Sequence, residues 1–315
     1  MLKPVICIGA SIIDDSFYCL DKPVHGTSNL ATHFRSVGGV ARNVAHHLAQ
    51  LGNHVELISH FGNDTDGTWL KERCLSTRIG LSHSRFSETG TGHFAAIVSP
   101  EGEFHIGVAD THLEDEITIP FLTEQRPFLE TASLVLCDCN LSASCIAWLL
   151  DFCRTNVIPC VIEPVSVAKA SRLNNVNLDN VLLITPNDAE LAVLSGGTTN
   201  SSSQLSIEYL LAKGVKKIWI RKGKKGSELF SREETVTLPA PEVEVLDTTG
   251  AGDAALAGWI HAWLQHRSVR ECLIYGQAMA KIILQAKGAN AEQLNIDLLE
   301  ETVANLRTSW PITNF

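Results

Sequence analysis

The strongest constraint on the fold is an alternation along the chain. Short, mostly apolar runs recur at Val5–Ile13, Val55–Ser59, Leu134–Cys137, Val157–Ile162, Val181–Ile184 and Lys217–Ile220, each bounded by Gly, Pro, Asn or Asp. Continuous apolar runs of this length suit strands buried on both faces. Between them the spacing turns helical: Val40, Val44, Leu48 and Leu51 recur at steps of three and four, and Ile146–Cys153 and Ile207–Leu211 behave alike. The alternation predicts an α/β chain, with a doubly wound, mostly parallel sheet flanked by helices. From Ala254 onward the pattern is mostly helical. Residues 82–109 depart from it. Three short runs, Ser82–Ser87, His93–Val98 and Glu103–Val108, are separated by turn signals at Thr89–Gly92 and Pro100–Gly102. This predicts an inserted antiparallel meander, joined by the polar stretch Asp15–Arg35, forming a small β lid from about residues 15–35 and 82–110. No repeat or interdomain linker interrupts the chain, so residues 1–315 read as a single domain.

Composition narrows the partners. The chain carries 25 Lys+Arg against 35 Asp+Glu, a net charge of −10, which opposes general nucleic-acid binding. No apolar run reaches the roughly 18 residues of a membrane span. Met1–Ala10 has one Lys and no cleavage-site pattern, so no signal peptide is expected. The nine cysteines include no CxxC pair and sit mostly in apolar surroundings. They read as reduced, buried thiols of a cytoplasmic protein.

Four constellations could carry chemistry. In Asp247-Thr-Thr-Gly-Ala-Gly-Asp253, two glycines and an alanine leave N–H groups of Gly250, Ala251 and Gly252 uncovered at a helix start, an anion site by dipole and by free donors. Asp253 falls in the first helical turn, where it could take a proton from a hydroxyl or simply favour the helix N-terminus. In Gly38-Gly-Val-Ala-Arg-Asn43, paired glycines admit a ligand to the backbone and Asn43 offers both donor and acceptor to sugar hydroxyls; an ordinary glycine-rich helix start is the alternative. Asn187 and Glu190 share a helix face, as ligands around hydrated Mg²⁺ or as a capping box. Lys222-Gly-Lys-Lys-Gly226, after a strand, could lie along nucleotide phosphates or form a solvated hairpin turn. There is no GxxxxGK[ST] loop, and no GxGxxG follows the first strand, which disfavours P-loop and dinucleotide-binding readings.

In order and spacing these elements resemble the phosphofructokinase-B family, the ribokinase-like carbohydrate kinases. One signature runs from Gly38 through Asn43 to Gly52 and Gly62, the other from Asp247 to Gly258, and Asn187–Glu190 is similar to the family's NxxE motif. The resemblance implies an ATP-dependent sugar or nucleoside kinase. It makes Asp253 the base, and the N–H groups of Gly250, Ala251 and Gly252 the anion hole. It assigns Asp14, at the first strand's end, with Gly38, Gly39 and Asn43 to the sugar, and Glu190 with Asn187 to Mg²⁺. Asn187, Lys222, Gly223 and Gly226 fall along the nucleotide. Asp110, at the lid's exit, is implied either to touch a base or to be merely solvated. Asp138-Cys-Asn-Leu-Ser142, Ala147–Asp151 and Glu163-Pro-Val-Ser166 are similar to the branch that phosphorylates pseudouridine at its ribose 5′-hydroxyl; kinases of ribose, fructose or standard nucleosides are the alternative, and a catalytically silent sugar- or nucleotide-binding regulator a further one. The family's lid often makes a homodimer. Three positions depart from its pattern: Ile12 where Asn is frequent, Arg221 where Ser or Thr is usual near the phosphates, and Glu163 where Asp is common. K⁺ activation would use loop carbonyls near Asp247, Thr249 and Gly288, and Glu292 replaces a small polar residue there, which leaves the monovalent cation open.

Overall fold

The apolar runs become the strands of one central sheet. A computed structural model describes residues 3–195, 203–286, 288–289, 291 and 293–310. In chain order the elements are β1 (Val5–Ile8), β2 (Ile12–Cys19), β3 (Ala31–Gly38), α1 (Val40–Gln50), β4 (Val55–Ile58), β5 (His60–Gly62), α2 (Thr65–Ser76), β6 (Arg85–Ser87), β7 (Gly92–Val98), β8 (Phe104–Asp110), α3 (Ile119–Glu124), α4 (Arg126–Leu129), β9 (Leu134–Asp138), α5 (Ala143–Thr155), β10 (Cys160–Glu163), α6 (Val167–Ala170), β11 (Leu183–Ile184), α7 (Asp188–Leu194), α8 (Ser203–Ala212), β12 (Lys217–Arg221), β13 (Ser227–Ser231), β14 (Thr235–Leu238), α9 (Ala251–Leu264), α10 (Val269–Leu284) and α11 (Ile296–Ser309).

The sheet order is β14-β13-β12-β11-β10-β9-β1-β4. From β12 to β4 all pairings are parallel, while β13 and β14 add an antiparallel edge. Alternate residues feed two cores. Val5, Cys7, Leu134 and Leu136 pack with α1, α9 and α10 on one side. Ile6, Ile8, Val135 and Cys137 pack with α5 and α8 on the other. Both faces are covered, which is why the runs show no polar alternation. The small residues of α9 serve packing: a β-carbon on Gly258 would lie 2.5 Å from the Tyr275 carbonyl oxygen, so α10 closes directly on that face. All nine cysteines are free and buried, as expected.

The lid is a four-stranded sheet in the order β3-β2-β7-β8. Three expectations are corrected here. Val5–Ile13 is not one strand: β1 ends at Ile8, Gly9 turns the chain at φ 153°, and β2 starts at Ile12 as a lid strand. Asp14 therefore lies in the lid's first strand and not at the end of β1. The Ser82–Ser87 run leaves the lid, because β6 pairs in parallel with β5 in a separate two-stranded sheet. The lid is also not wholly antiparallel, since β2 and β7 run parallel, with Ile12 opposite Gly92.

Because β1, β9, β10, β11 and β12 are parallel, their C-terminal ends share one edge of the sheet. That edge carries Gly9, Asp138, Glu163, Thr185 and Arg221, the position where open α/β sheets bind ligands.

Candidate active site

The residues expected to hold the sugar come together where β2 leaves the main sheet. Asp14 pairs with Ser36 on β3 and Phe94 on β7. Its carboxylate lies on the bare face of Gly38, where a β-carbon would sit 2.2 Å from Asp14 Oδ2. Gly39, at φ 93°, precedes α1, and a β-carbon there would sit 2.2 Å from the Ala10 carbonyl oxygen. Only glycine allows both approaches. Desolvation pushes the Asp14 pKa up to about 6, opposed by Arg42 and reinforced by Asp15.

Asn43, in the first turn of α1, donates from Nδ2 to Asp253 Oδ2 at 2.8 Å, although the two are 210 positions apart. Arg42 explains this orientation. It is fully buried and donates to the carbonyls of Gly38 at 3.1 Å and Val37 at 3.0 Å, and to Asn43 Oδ1. With Oδ1 held by the guanidinium, the amide turns its NH₂ toward Asp253. Arg42 was not assigned a role from the sequence.

Asp253 sits in the first turn of α9. Gly250 caps that helix in the left-handed region at φ 73°, and a β-carbon there would lie 2.5 Å from the Ala289 β-carbon. The Ala251 N–H reaches back to the Thr248 carbonyl at 3.4 Å, while the N–H groups of Gly250 and Gly252 have no acceptor among the described residues. The turn is held by Asp247, whose carboxylate accepts from the N–H groups of Thr249 and Gly288, both at 2.9 Å, and from the Tyr18 hydroxyl of the lid at 3.2 Å. Desolvation pushes the Asp253 pKa up to about 7. The charge of Glu163 adds to this, and Asn43 and Arg221 oppose it.

At the start of α7, Asn187 and Glu190 form a full capping box: Glu190 Oε2 accepts from the Asn187 N–H and Asn187 Oδ1 from the Glu190 N–H, each at 2.9 Å. The structural reading of this motif is therefore met, and it fixes the Glu190 carboxylate in place. Arg221 bridges to Asn187 beside it and donates through Nη2 to Glu163 Oε1 and, at 2.8 Å, to the Thr185 carbonyl. Lys222 through Gly226 form the β12–β13 hairpin turn, with the Lys222 N–H on the Gly226 carbonyl at 2.9 Å and the Lys222 ammonium on Glu228. Gly223 and Gly226 both take positive φ there. Among the described residues, no group of three or more His, Cys, Asp or Glu side chains is arranged to hold a metal ion. Glu292 lies outside the described residues.

A second polar group lies beside the β1–β2 turn. Asp138, fully buried, accepts from the N–H groups of Ala10 at 3.1 Å, Ala41 at 3.0 Å and Asn140 at 2.9 Å, and so ties the β1–β2 turn to the start of α1. This supplies a physical reason for the Asp138–Ser142 stretch. Beside it, Lys169 donates to Asn140 Oδ1. Glu114 is 2% exposed, and neither carboxylate oxygen has a partner among the described residues. Burial pushes its pKa up to about 8. Asp110 is not drawn into either group. It is exposed at the end of β8, and its carboxylate accepts only from the His112 N–H, at 3.5 Å, among the described hydrogen bonds.

A carboxylate beside a turn of free N–H groups, at the carboxyl edge of a parallel sheet, suits phosphoryl transfer to an alcohol, in which positioning and charge neutralisation outweigh covalent chemistry. The fold is that of the ribokinase-like kinases. It superimposes on the structure of Arabidopsis thaliana ribokinase complexed with ribose and ATP with a TM-score of 0.80 at 22% identity, covering 96% of this chain and 99% of that one. The chain belongs to the pfkB family of carbohydrate kinases, whose profile matches residues 3–295. It is 29% identical over 266 residues to an uncharacterized sugar kinase, YeiI, of Escherichia coli K12, covering 83% of this chain and 73% of that protein. It is 25% identical over 305 residues to the pseudouridine kinase of the same organism, covering 96% of each. The chain is thus a sugar or nucleoside kinase, a phosphotransferase with an alcohol group as acceptor.

Proposed function

We propose that this kinase transfers the γ-phosphoryl group of ATP to the ribose 5′-hydroxyl of pseudouridine, giving pseudouridine 5′-phosphate and ADP. The observation that carries the mechanism is the Asn43–Asp253 hydrogen bond, which joins the sugar-side motif to the anion turn at one point. Asp14, Gly38, Gly39 and Asn43 hold the ribose. Asp253 takes the hydroxyl proton as the oxygen attacks, and the N–H groups of Gly250, Ala251 and Gly252 neutralise the phosphoryl oxygens. Asn187, Lys222, Gly223 and Gly226 flank the nucleotide. Hydrated Mg²⁺ commonly takes one or two carboxylates together with substrate phosphates, and the fixed Glu190 carboxylate fits that need. Asn187, whose amide oxygen is engaged, holds Glu190 in position. Bound Mg²⁺ would supply charge neutralisation at the phosphates. The carbonyls of the Asp247–Thr249 and Gly288 loops are where K⁺ would bind in this reading.

The substrate assignment rests on full-length similarity to a pseudouridine kinase. Pseudouridine joins ribose to its base through carbon, which leaves one more ring N–H than uridine has. A buried acceptor facing that N–H would reject uridine, because it would be left unpaired. The unpartnered oxygens of Glu114 have this character, and Asp110 is a second candidate if the lid carries it inward. The similarity to ribokinases favours ribose as the alternative acceptor. We further propose a cytoplasmic homodimer formed through the lid. The exposed Phe104, Ile106 and Val108 of β8 would supply apolar contact, and no helix among the described residues is long and apolar enough to cross a membrane. The test is ATP-dependent phosphorylation of pseudouridine, uridine, ribose and fructose by the intact protein. Pseudouridine should be turned over fastest, and Asp14→Ala should damage transfer to pseudouridine and uridine alike. Equal turnover of the two nucleosides, or faster turnover of a free sugar, would reject the substrate assignment.

A further inference from the structure

We propose that Arg221 is a catalytic residue of this kinase, donating through its guanidinium to the phosphoryl group as it passes between ATP and the acceptor. The inference rests on the reading that the turn Gly250–Gly252 receives that group. Arg221 ends β12, and its backbone is fixed by donation to the Pro186 carbonyl at 3.2 Å. One edge of the side chain is committed: Nη2 donates to Glu163 Oε1 and to the Thr185 carbonyl. The other edge faces the head of α9, where a β-carbon on Gly252 would lie 2.5 Å from Arg221 Nη1. No hydrogen bond from Nη1 occurs among the described residues.

Two readings compete for this pair. A buried Arg–Glu bridge can be purely structural. Its side chains are 20% and 4% exposed, and a structural pair gains by using all its donors within the protein. Here the planar fork is held along one side only, and its unused nitrogen points at the turn whose Gly250 and Gly252 N–H groups also lack acceptors. Three donors, Arg221 Nη1 and the N–H groups of Gly250 and Gly252, are thus unused at the head of α9, which also carries Asp253. A phosphoryl group placed there would accept from all of them, and a guanidinium matches phosphate geometry with parallel donors. Glu163 has the role of a positioning residue: it anchors the guanidinium and keeps it from folding onto Asp253.

In the transfer the γ-phosphorus bond to the ADP oxygen breaks and a bond to the acceptor oxygen forms. The acceptor proton passes to Asp253, and ADP leaves with the electron pair of the broken bond. Arg221 gains and loses no bond or proton. It stabilises charge on the equatorial oxygens, where one preorganised donor contributes on the order of 10²-fold to turnover.

Three variants decide the matter. Glu163→Gln with Arg221→Gln keeps a neutral hydrogen-bonded pair, Arg221→Lys keeps the charge without the fork, and Asp253→Asn is the control. Binding of ADP and of the non-hydrolysable β,γ-methylene analogue of ATP is measured by calorimetry with Mg²⁺, alongside kcat and melting temperature. The neutral pair should leave ADP affinity unchanged, weaken the ATP analogue about tenfold or more, and lower kcat by about 10². Arg221→Lys should fall between it and the parent. Asp253→Asn should lose kcat but keep the preference for the ATP analogue, so failure of the base assignment and failure of this proposal are told apart. If both nucleotides weaken equally, or the preference and kcat survive in the neutral pair, the bridge is structural and the proposal is overturned. Should the neutral pair not fold, Arg221→Lys alone decides: a reduced preference at an unchanged melting temperature supports the proposal, and an undiminished preference overturns it.

Discussion

Replacing Asn43 by Ala removes the one neutral side-chain hydrogen bond to Asp253 among the described residues, a bond that favours the ionised form. The bond is 2.8 Å long, and its donor is held in place because Arg42 occupies the amide oxygen. In the intact protein desolvation and the charge of Glu163 push the Asp253 pKa up to about 7, while Asn43 and Arg221 pull the other way. A base must be ionised to accept the proton, so activity should fall as pH drops through about 7. A hydrogen bond to a charged group contributes about 1.5–3 kcal/mol. At about 1.4 kcal/mol per pH unit, its loss should move the acid limb upward by roughly one to two units. The assay is kcat/KM as a function of pH for both proteins. Asn43 is also proposed to hold the sugar, so KM should rise, but that changes the height of the profile and not the position of its limb. An acid limb that stays in place, or moves to lower pH, would refute the reasoning.

Glu190→Gln should preserve the capping box, since Gln also accepts from the Asn187 N–H, and should therefore leave the melting temperature nearly unchanged while raising the Mg²⁺ concentration needed for half-maximal activity. A lowered melting temperature with unaltered Mg²⁺ dependence would assign Glu190 to capping alone. Glu114→Gln tests the buried carboxyl by its pH dependence: its pKa rises from 4.5 unfolded to about 8 folded, so the parent loses stability as pH climbs between those values. The variant lacks this titration. Its melting temperature should match the parent's near pH 5 and exceed it increasingly up to about pH 8, then hold a constant lead. A lead that is independent of pH would show that Glu114 is not held neutral.

The strands buried on both faces were legible in the sequence because almost nothing polar interrupts them: β1, β9 and β10 are buried throughout and overlap the apolar runs. The two antiparallel strands of the main sheet were not. Ser227–Ser231 and Thr235–Leu238 lie at the margin of the sheet, where half-exposed positions admit Ser, Glu and Thr. β2 was hidden for a related reason. Its Ile12 and Ile13 continue the apolar run of β1, and the break falls at Gly9, whose turn is set by close contact with Asp138. At the site, the glycine turns were legible because Gly39 and Gly250 take a positive φ that favours glycine, whereas Asp253 stood out only by its place in the motif beside them. Arg42 was not, because a buried arginine is stable only once the fold has delivered the Val37 and Gly38 carbonyls to it. The Glu163–Arg221 pair likewise depends on the order β10-β11-β12, which places Thr185 between them and cannot be read from either residue alone.

The central claim is that Asp253, at the head of α9, accepts the proton of the alcohol being phosphorylated. Asp253→Asn keeps the shape and removes the proton acceptor. Single-turnover phosphorylation, measured beside calorimetric ATP binding, should fall by about 10²–10⁴-fold, with nucleotide affinity largely retained. Near-normal turnover in the variant would contradict the account.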